Sequence, residues 1–218
     1  MRVVLSVGLV LGGAAAAVAQ TSGIPDSLAR RLTERATETR EIVYFLQQPE
    51  THAFDLYHDY TETRPTVSHY LNVVRAGSRV SNPTALLLDT GVPLAPRILK
   101  GDEVTRAGLT IEEPLTPETE VVVIPFQAPP AGGSVRLRIS ETYTDSARYR
   151  LSGDQLIWDR GFGRAHNAVV LPSGWRLTHS TIPAMVSTTE EGRIRLDFIN
   201  PRPDEIQVLI VATRRASR

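Results

Sequence analysis

Apolar side chains recur at every second position along most of the chain after Ile42. Val135, Leu137 and Ile139 alternate with Arg136 and Arg138, and Ile194, Leu196 and Phe198 alternate with Arg193, Arg195 and Asp197. Successive side chains of a strand point to opposite faces, so each run predicts a strand with one buried and one wet face. Val121 to Ile124 is an unbroken apolar run, the pattern of a strand covered on both sides. Near the end of the chain Ile206, Val208, Ile210 and Ala212 share one face while Leu209 and Val211 share the other, which predicts a central strand.

Glycine and proline clusters punctuate these runs, at Asp89-Thr90-Gly91, Lys100-Gly101-Asp102, Pro129 to Gly133, Ser152-Gly153-Asp154, Pro172-Ser173-Gly174 and Glu191-Gly192. Glycine supplies positive φ and proline pre-sets φ, so these are turns. About fourteen short strands separated in this way predict an all-β fold. Either one large or two tandem antiparallel β-sandwiches of the Ig-like, Greek-key kind satisfy the pattern. A division near Ser146 separates residues 42–146 from residues 147–218. One short N-terminal helix is expected within residues 20–41, from Asp26 to about Arg40. Asp26 is its N-cap, and Leu28, Leu32, Ala36 and Val43 form a thin apolar stripe at helical spacing that predicts packing on a sheet edge.

The first nineteen residues have a different character. Met1-Arg2 is followed by a short apolar run with small residues at Ala17 and Ala19. A basic start, a short apolar stretch and small residues at −3 and −1 are the parts of a cleavable secretory signal, which places cleavage after Ala19. The expected destination is a periplasm or the extracellular space, with no membrane insertion after cleavage. The chain has no cysteine, so a disulfide framework is excluded, as are a thiol nucleophile and a cysteine zinc site.

The 24 basic residues balance the 24 acidic ones. A nucleic-acid-binding face requires a basic excess, so that class of partner is not expected. No HExxH, GxSxG or complete dinucleotide-binding loop occurs, and no cofactor is expected.

Three sets of residues carry candidate chemistry. Leu86-Leu87-Leu88-Asp89-Thr90-Gly91 resembles the catalytic turn of aspartic proteases. The resemblance implies that Asp89 pairs with a second carboxylate and shares a proton across the pair. No second Asp-Thr-Gly occurs in the chain, so that pair requires a homodimer. The second set is histidine. A strand through Thr51–Tyr60 puts His52, Phe54, Leu56, His58 and Tyr60 on one face, and a strand paired with it over Val67–Val74 brings His69 near. His52 and His58 stand about 20 Å apart along such a strand. His58 and His69 with an aspartate are therefore the candidate zinc or copper ligands.

The third set lies between Tyr149 and His179. Trp158, Arg160, Arg164, His166, Asn167 and Trp175 combine aromatic rings with planar donors, as a sugar or peptide groove requires. The same tryptophans also suit a sandwich core.

Two functions follow. The favoured one is a non-enzymatic exported module that binds a protein or glycan partner or serves structurally in an envelope. The alternative is a hydrolase, either dimeric and aspartic through Asp89 or metal-assisted through His58 and His69.

Overall fold

The computed structural model describes residues 41–202 and 204–215. The leader and the expected helix at 26–40 lie outside them. The regular structure of the described chain is almost all strand and is sandwich-like, in the all-β class that the alternation predicts. Fifteen strands form three sheets. The largest has the order β13 (Met185–Thr188), β14 (Ile194–Ile199), β11 (His166–Val170), β1 (Glu41–Leu46), β2 (Ala53–Glu62), β8 (Val135–Thr144), β4 (Arg79–Leu87), β5 (Pro93–Leu94). A four-stranded sheet has the order β12 (Trp175–Ser180), β15 (Ile206–Arg214), β10 (Gln155–Phe162), β9 (Tyr149–Ser152). A three-stranded sheet has the order β3 (His69–Val73), β7 (Glu120–Pro125), β6 (Arg97–Lys100). A single helical turn, α1 (Asp102–Arg106), follows β6. Among the described residues no helix is long and apolar enough to cross a membrane.

The two smaller sheets share the inner face of the large one. Tyr44 and Phe54 of the large sheet meet Trp158 of β10 at 5.5 and 4.6 Å between ring centroids. Further along the same face, the rings of His58 and Tyr60 meet Tyr70 of β3 at 5.4 and 4.7 Å. One apolar cluster runs through all three sheets, from Tyr44 and Phe54 through Tyr70 and Ile124 to Trp158 and Ile210. Burying each such ring removes well over 100 Å² from water and dominates the stabilisation. β7 is covered on both faces. Val122 and Ile124 join this cluster, whereas Val121 and Val123 pack with Val104 on the opposite side.

The large sheet draws strands from both sides of Ser146, since β1, β2, β4, β5 and β8 precede it and β11, β13 and β14 follow it. The pairing responsible is β1 with β11, which register in parallel from Glu41↔His166 to Phe45↔Val170. Every other pairing described is antiparallel. The strand expected near Val67–Val74 is present as β3, but it pairs with β7 and not with β2. Its ring Tyr70 lies on the core side, so it joins β2 through packing and not through a ladder.

Candidate functional site

Parallel strands end at the same edge of a sheet. β1 and β11 therefore deliver their following loops side by side, Gln47–Gln48 from one and Leu171–Gly174 from the other. Between them lies a groove of about 230 Å³, bordered by Phe45, Gln47, Gln48, Asp55, Ser173 and Arg193. It opens on the outer face of the large sheet, where Phe45 stands directly opposite Asp55.

Each wall is held by a named contact. Arg193 enters from the turn before β14 and donates to the carbonyls of Leu171 at 2.8 Å, Leu46 at 3.0 Å and Val170 at 3.3 Å. It thus clamps the ends of both parallel strands, and its guanidinium lies 5.9 Å from the Phe45 ring centroid. Burial lowers its pKa, yet a guanidinium stays charged at any ordinary pH. Gln47 Nε2 donates to the Asp55 carboxylate at 3.2 Å, and Thr142 Oγ1 donates to the same carboxylate at 2.7 Å. Gln48 Nε2 donates to Ser173 O at 3.2 Å, which ties one loop to the other. Its Oε1 accepts the indole N–H of Trp175 at 2.9 Å. Behind the groove, the Tyr149 hydroxyl donates to Gln47 O, and burial pushes that hydroxyl's pKa up.

An aromatic strip extends the groove along the outer face. Phe45 and Tyr57 have ring centroids 5.9 Å apart, and Arg138 lies 4.3 Å over the Tyr57 ring. Arg138 is fixed there by paired bonds to Asp59, both 2.8 Å. Half-buried rings beside planar amides, a carboxylate and a guanidinium supply an apolar platform with oriented donors and acceptors.

The residues singled out from sequence are placed differently. Trp158 and Trp175 are 0% and 1% exposed, so neither offers a platform to solvent. Trp175 touches the groove only through its bond to Gln48. Arg160 is buried among the rings of Tyr44, Phe54, Tyr143 and Trp158, with its centre 5.1–5.8 Å from their centroids. Its Nη1 lies 3.9 Å from the buried Asp145 carboxylate. Arg164 gives its carbonyl to Asn167 Nδ2 at 2.9 Å, and Asn167 is buried. His166 is on the outer face, where Nε2 meets Asp197 at 3.2 Å and Nδ1 meets Glu41 at 3.7 Å. These six residues do not converge on one surface.

Asp89 sits in the turn joining β4 to β5, exposed, 3.6 Å from Arg136. Gly91 (φ 71°) closes that turn, with its N–H bonded to Leu87 O at 2.8 Å. His58 and His69 belong to different sheets. Tyr70 turns its ring onto His58, so its strand neighbour His69 points to the opposite face of β3. His52 is outside β2, in a left-handed position (φ 54°) after a short helical turn at Pro49–Thr51. Among the described residues no group of three or more histidine, aspartate or glutamate side chains is placed to hold a metal.

The alternation of β1 could have pointed to Phe45, since Tyr44 and Leu46 take the inner face and leave it on the outer one. Nothing in Gln47-Gln48 distinguishes that pair from any other loop.

No protein-family model matches the sequence, and no curated protein does. Among solved structures, the chain is similar to part of an aminopeptidase N family protein from Idiomarina loihiensis. The TM-score is 0.45 and the identity 9%, covering 79% of this chain and 29% of that one. It is likewise similar to part of an M1 zinc metallopeptidase from Deinococcus radiodurans, with TM-score 0.44 and 11% identity, covering 80% of this chain and 41% of that one. This chain thus spans less than half the length of either protein.

Proposed function

We propose that this chain is a non-enzymatic carbohydrate-binding domain that seats one neutral sugar ring of a glycan in the groove between the β1 and β11 loops. The leader-like pattern of residues 1–19 supports a location outside the cytosol in this reading. The carrying observation is the groove itself, where the half-buried Phe45 ring adjoins Gln47, Gln48, Asp55 and Arg193, each already held by a structural bond. A sugar offers an apolar ring face and hydroxyls that both donate and accept, and this mixture of groups answers both. A volume of about 230 Å³ suits one ring and falls below the range of cofactor pockets. The groove lies over central strands whose ladders are filled, so a peptide has no sheet edge to extend there.

Catalysis is not favoured. The acids whose ionisation burial suppresses most, Glu141, Tyr143 and Tyr149, face the core. The polar groups of the groove are tied to structural partners, Asp55 to Gln47 and Thr142 and Arg193 to three backbone carbonyls.

The test is a panel of neutral glycans read by isothermal calorimetry and by the Trp175 indole N–H resonance. Expected is saturable binding that shifts this resonance, and that Phe45→Ala weakens by about tenfold. Binding that Phe45→Ala leaves unchanged, or a panel without a single binder, overturns the reading.

A further inference from the structure

β13 is one edge of the eight-stranded sheet; at four residues it is short, but it carries no charge and no proline to protect that edge. All four residues are exposed, with Met185 at 65% and Val186 at 58%. Ile199 of the adjacent strand is 59% exposed and stands diagonal to Met185 on the same face. Half of the large exposed hydrophobics of the described chain are therefore at this edge. From Thr181 to Thr189 no residue is charged, and the only proline, Pro183, precedes the strand. Natural edges are normally blunted by lysine, proline or a bulge, because unpaired N–H and C=O groups recruit another strand.

The hydrogen bonding shows which groups are open. Thr189 donates to Arg193 O at 2.8 Å, so Thr189, and by alternation Ser187 and Met185, turn their backbone toward β14. Ile194 gives its carbonyl to Leu171 N on the far side, at 2.8 Å. Its cross-strand partner Thr188, and with it Val186, therefore turn N–H and C=O outward.

We infer that β13 is a homodimerisation edge, pairing antiparallel with β13 of a second copy about a two-fold axis through Ser187. In this register Val186 of each copy exchanges both backbone bonds with Thr188 of the other. Ser187 faces its own counterpart, and Met185 faces Thr189. The first charges, Glu190 and Glu191, fall opposite the neutral Ala184 and Pro183, so no like charges meet. This self-complementarity selects a second copy over a foreign strand, since from Met185 to Thr189 every uncharged position meets another and the interface closes on itself. An axis perpendicular to the sheet leaves both outer faces on one side, so both grooves face the same way. That consequence rests on the proposed function, but the dimer itself does not. A glycan with repeated units could then engage both grooves, gaining avidity without new contacts.

The contact is small, so the dimer is weak and concentration-dependent. Sedimentation velocity on the purified chain, up to roughly 100 µM, is expected to show a monomer–dimer equilibrium. Ser187→Lys places two ammonium groups on the axis and is expected to weaken dimerisation about tenfold or more. Val186→Pro deletes one outward N–H and leaves the β14 ladder intact, and it is expected to act similarly with an unchanged circular dichroism spectrum. A chain that stays monomeric throughout overturns the inference, as does a dimer that both variants leave unaltered, or a sheet edge that captures a foreign strand without self-association.

Discussion

Trp175 donates its indole N–H to Oε1 of Gln48 across 2.9 Å, which joins a fully buried ring to the wall of the groove. The ring is held on its other side by Arg214, 4.7 Å from its centroid, and Arg214 in turn meets Glu50 of the turn after β1. Any ligand that moves Gln48 therefore changes the surroundings of Trp175, while Trp158 deeper in the core is insulated from it.

Gln48→Leu removes the acceptor and leaves the buried indole N–H unsatisfied. The expected outcome is a loss of about 1–2 kcal/mol in urea unfolding and a shift in Trp175 fluorescence, with the Trp158 signal unchanged. Stability equal to the parent chain argues that the bond contributes nothing.

Glu141 gives a pH dependence of determined sign. It is buried between the large sheet and β3, accepting from Asn72 Nδ2 at 2.7 Å, and the same Nδ2 lies 2.9 Å from the Tyr143 hydroxyl. Its Oε1 has no hydrogen-bond partner among the described residues. Burial pushes its pKa up to about 7, against the opposing bonds from Asn72 and Tyr143. The folded chain then holds a proton that the unfolded chain releases at about 4.5. Stability therefore falls as pH rises between these two values and stays lower above them, by roughly 3 kcal/mol. Glu141→Gln is expected to abolish this slope and to unfold at higher urea than the parent at pH 8. An unchanged slope in the variant assigns it to another group.

Glu62 acts in the opposite direction. Burial alone would raise its pKa, but bonds from Arg64, the Tyr60 hydroxyl and the Arg64 backbone hold it at about 2. Its contribution is complete above about pH 4.5 and is lost as pH falls toward 2. Glu62→Gln is expected to flatten the acid limb of the stability curve and leave pH 7–9 parallel to the parent. Acid unfolding that the substitution does not shift refutes the assignment.

Arg160→Met tests the buried cation. Its charge lies among four aromatic rings and 3.9 Å from Asp145, whose carboxylate also accepts from Ser78 at 2.8 Å and the Arg148 backbone at 3.0 Å. Removing one partner of a buried pair costs about 3–5 kcal/mol, at the lower end here because Asp145 keeps these donors. Thermal unfolding measures it, and a neutral result shows that packing and not charge sets this position.

Local pattern in the sequence anticipated most strands and their buried faces. Leu137 and Ile139 of β8, Leu196 and Phe198 of β14, and Val208 and Ile210 of β15 are all in the core where alternation puts them. Partner choice was not legible, because it depends on contacts far apart in sequence. The chain between Val67 and Val74 reads as a strand but gives no sign that Val121 to Pro125 is its neighbour. The candidate site failed for the same reason. Trp158 and Arg160 share a face of β10, and that face is the one the Tyr44 and Phe54 rings cover. The groove depends on two loops that meet only because β1 and β11 are parallel, and no residue in either loop announces the meeting.

That pairing also governs how the chain acquires its shape. Val43 waits for Ala168, and β11 is completed in turn by β14. A nascent chain that has emerged only through β8 has β1 without its β11 partner. Assembly must therefore be a late, whole-chain event with a slow rate set by distant loop closure. Proteins of this kind are open to chaperones and proteases for most of their synthesis, and truncations anywhere before β14 should give insoluble fragments instead of smaller folded ones.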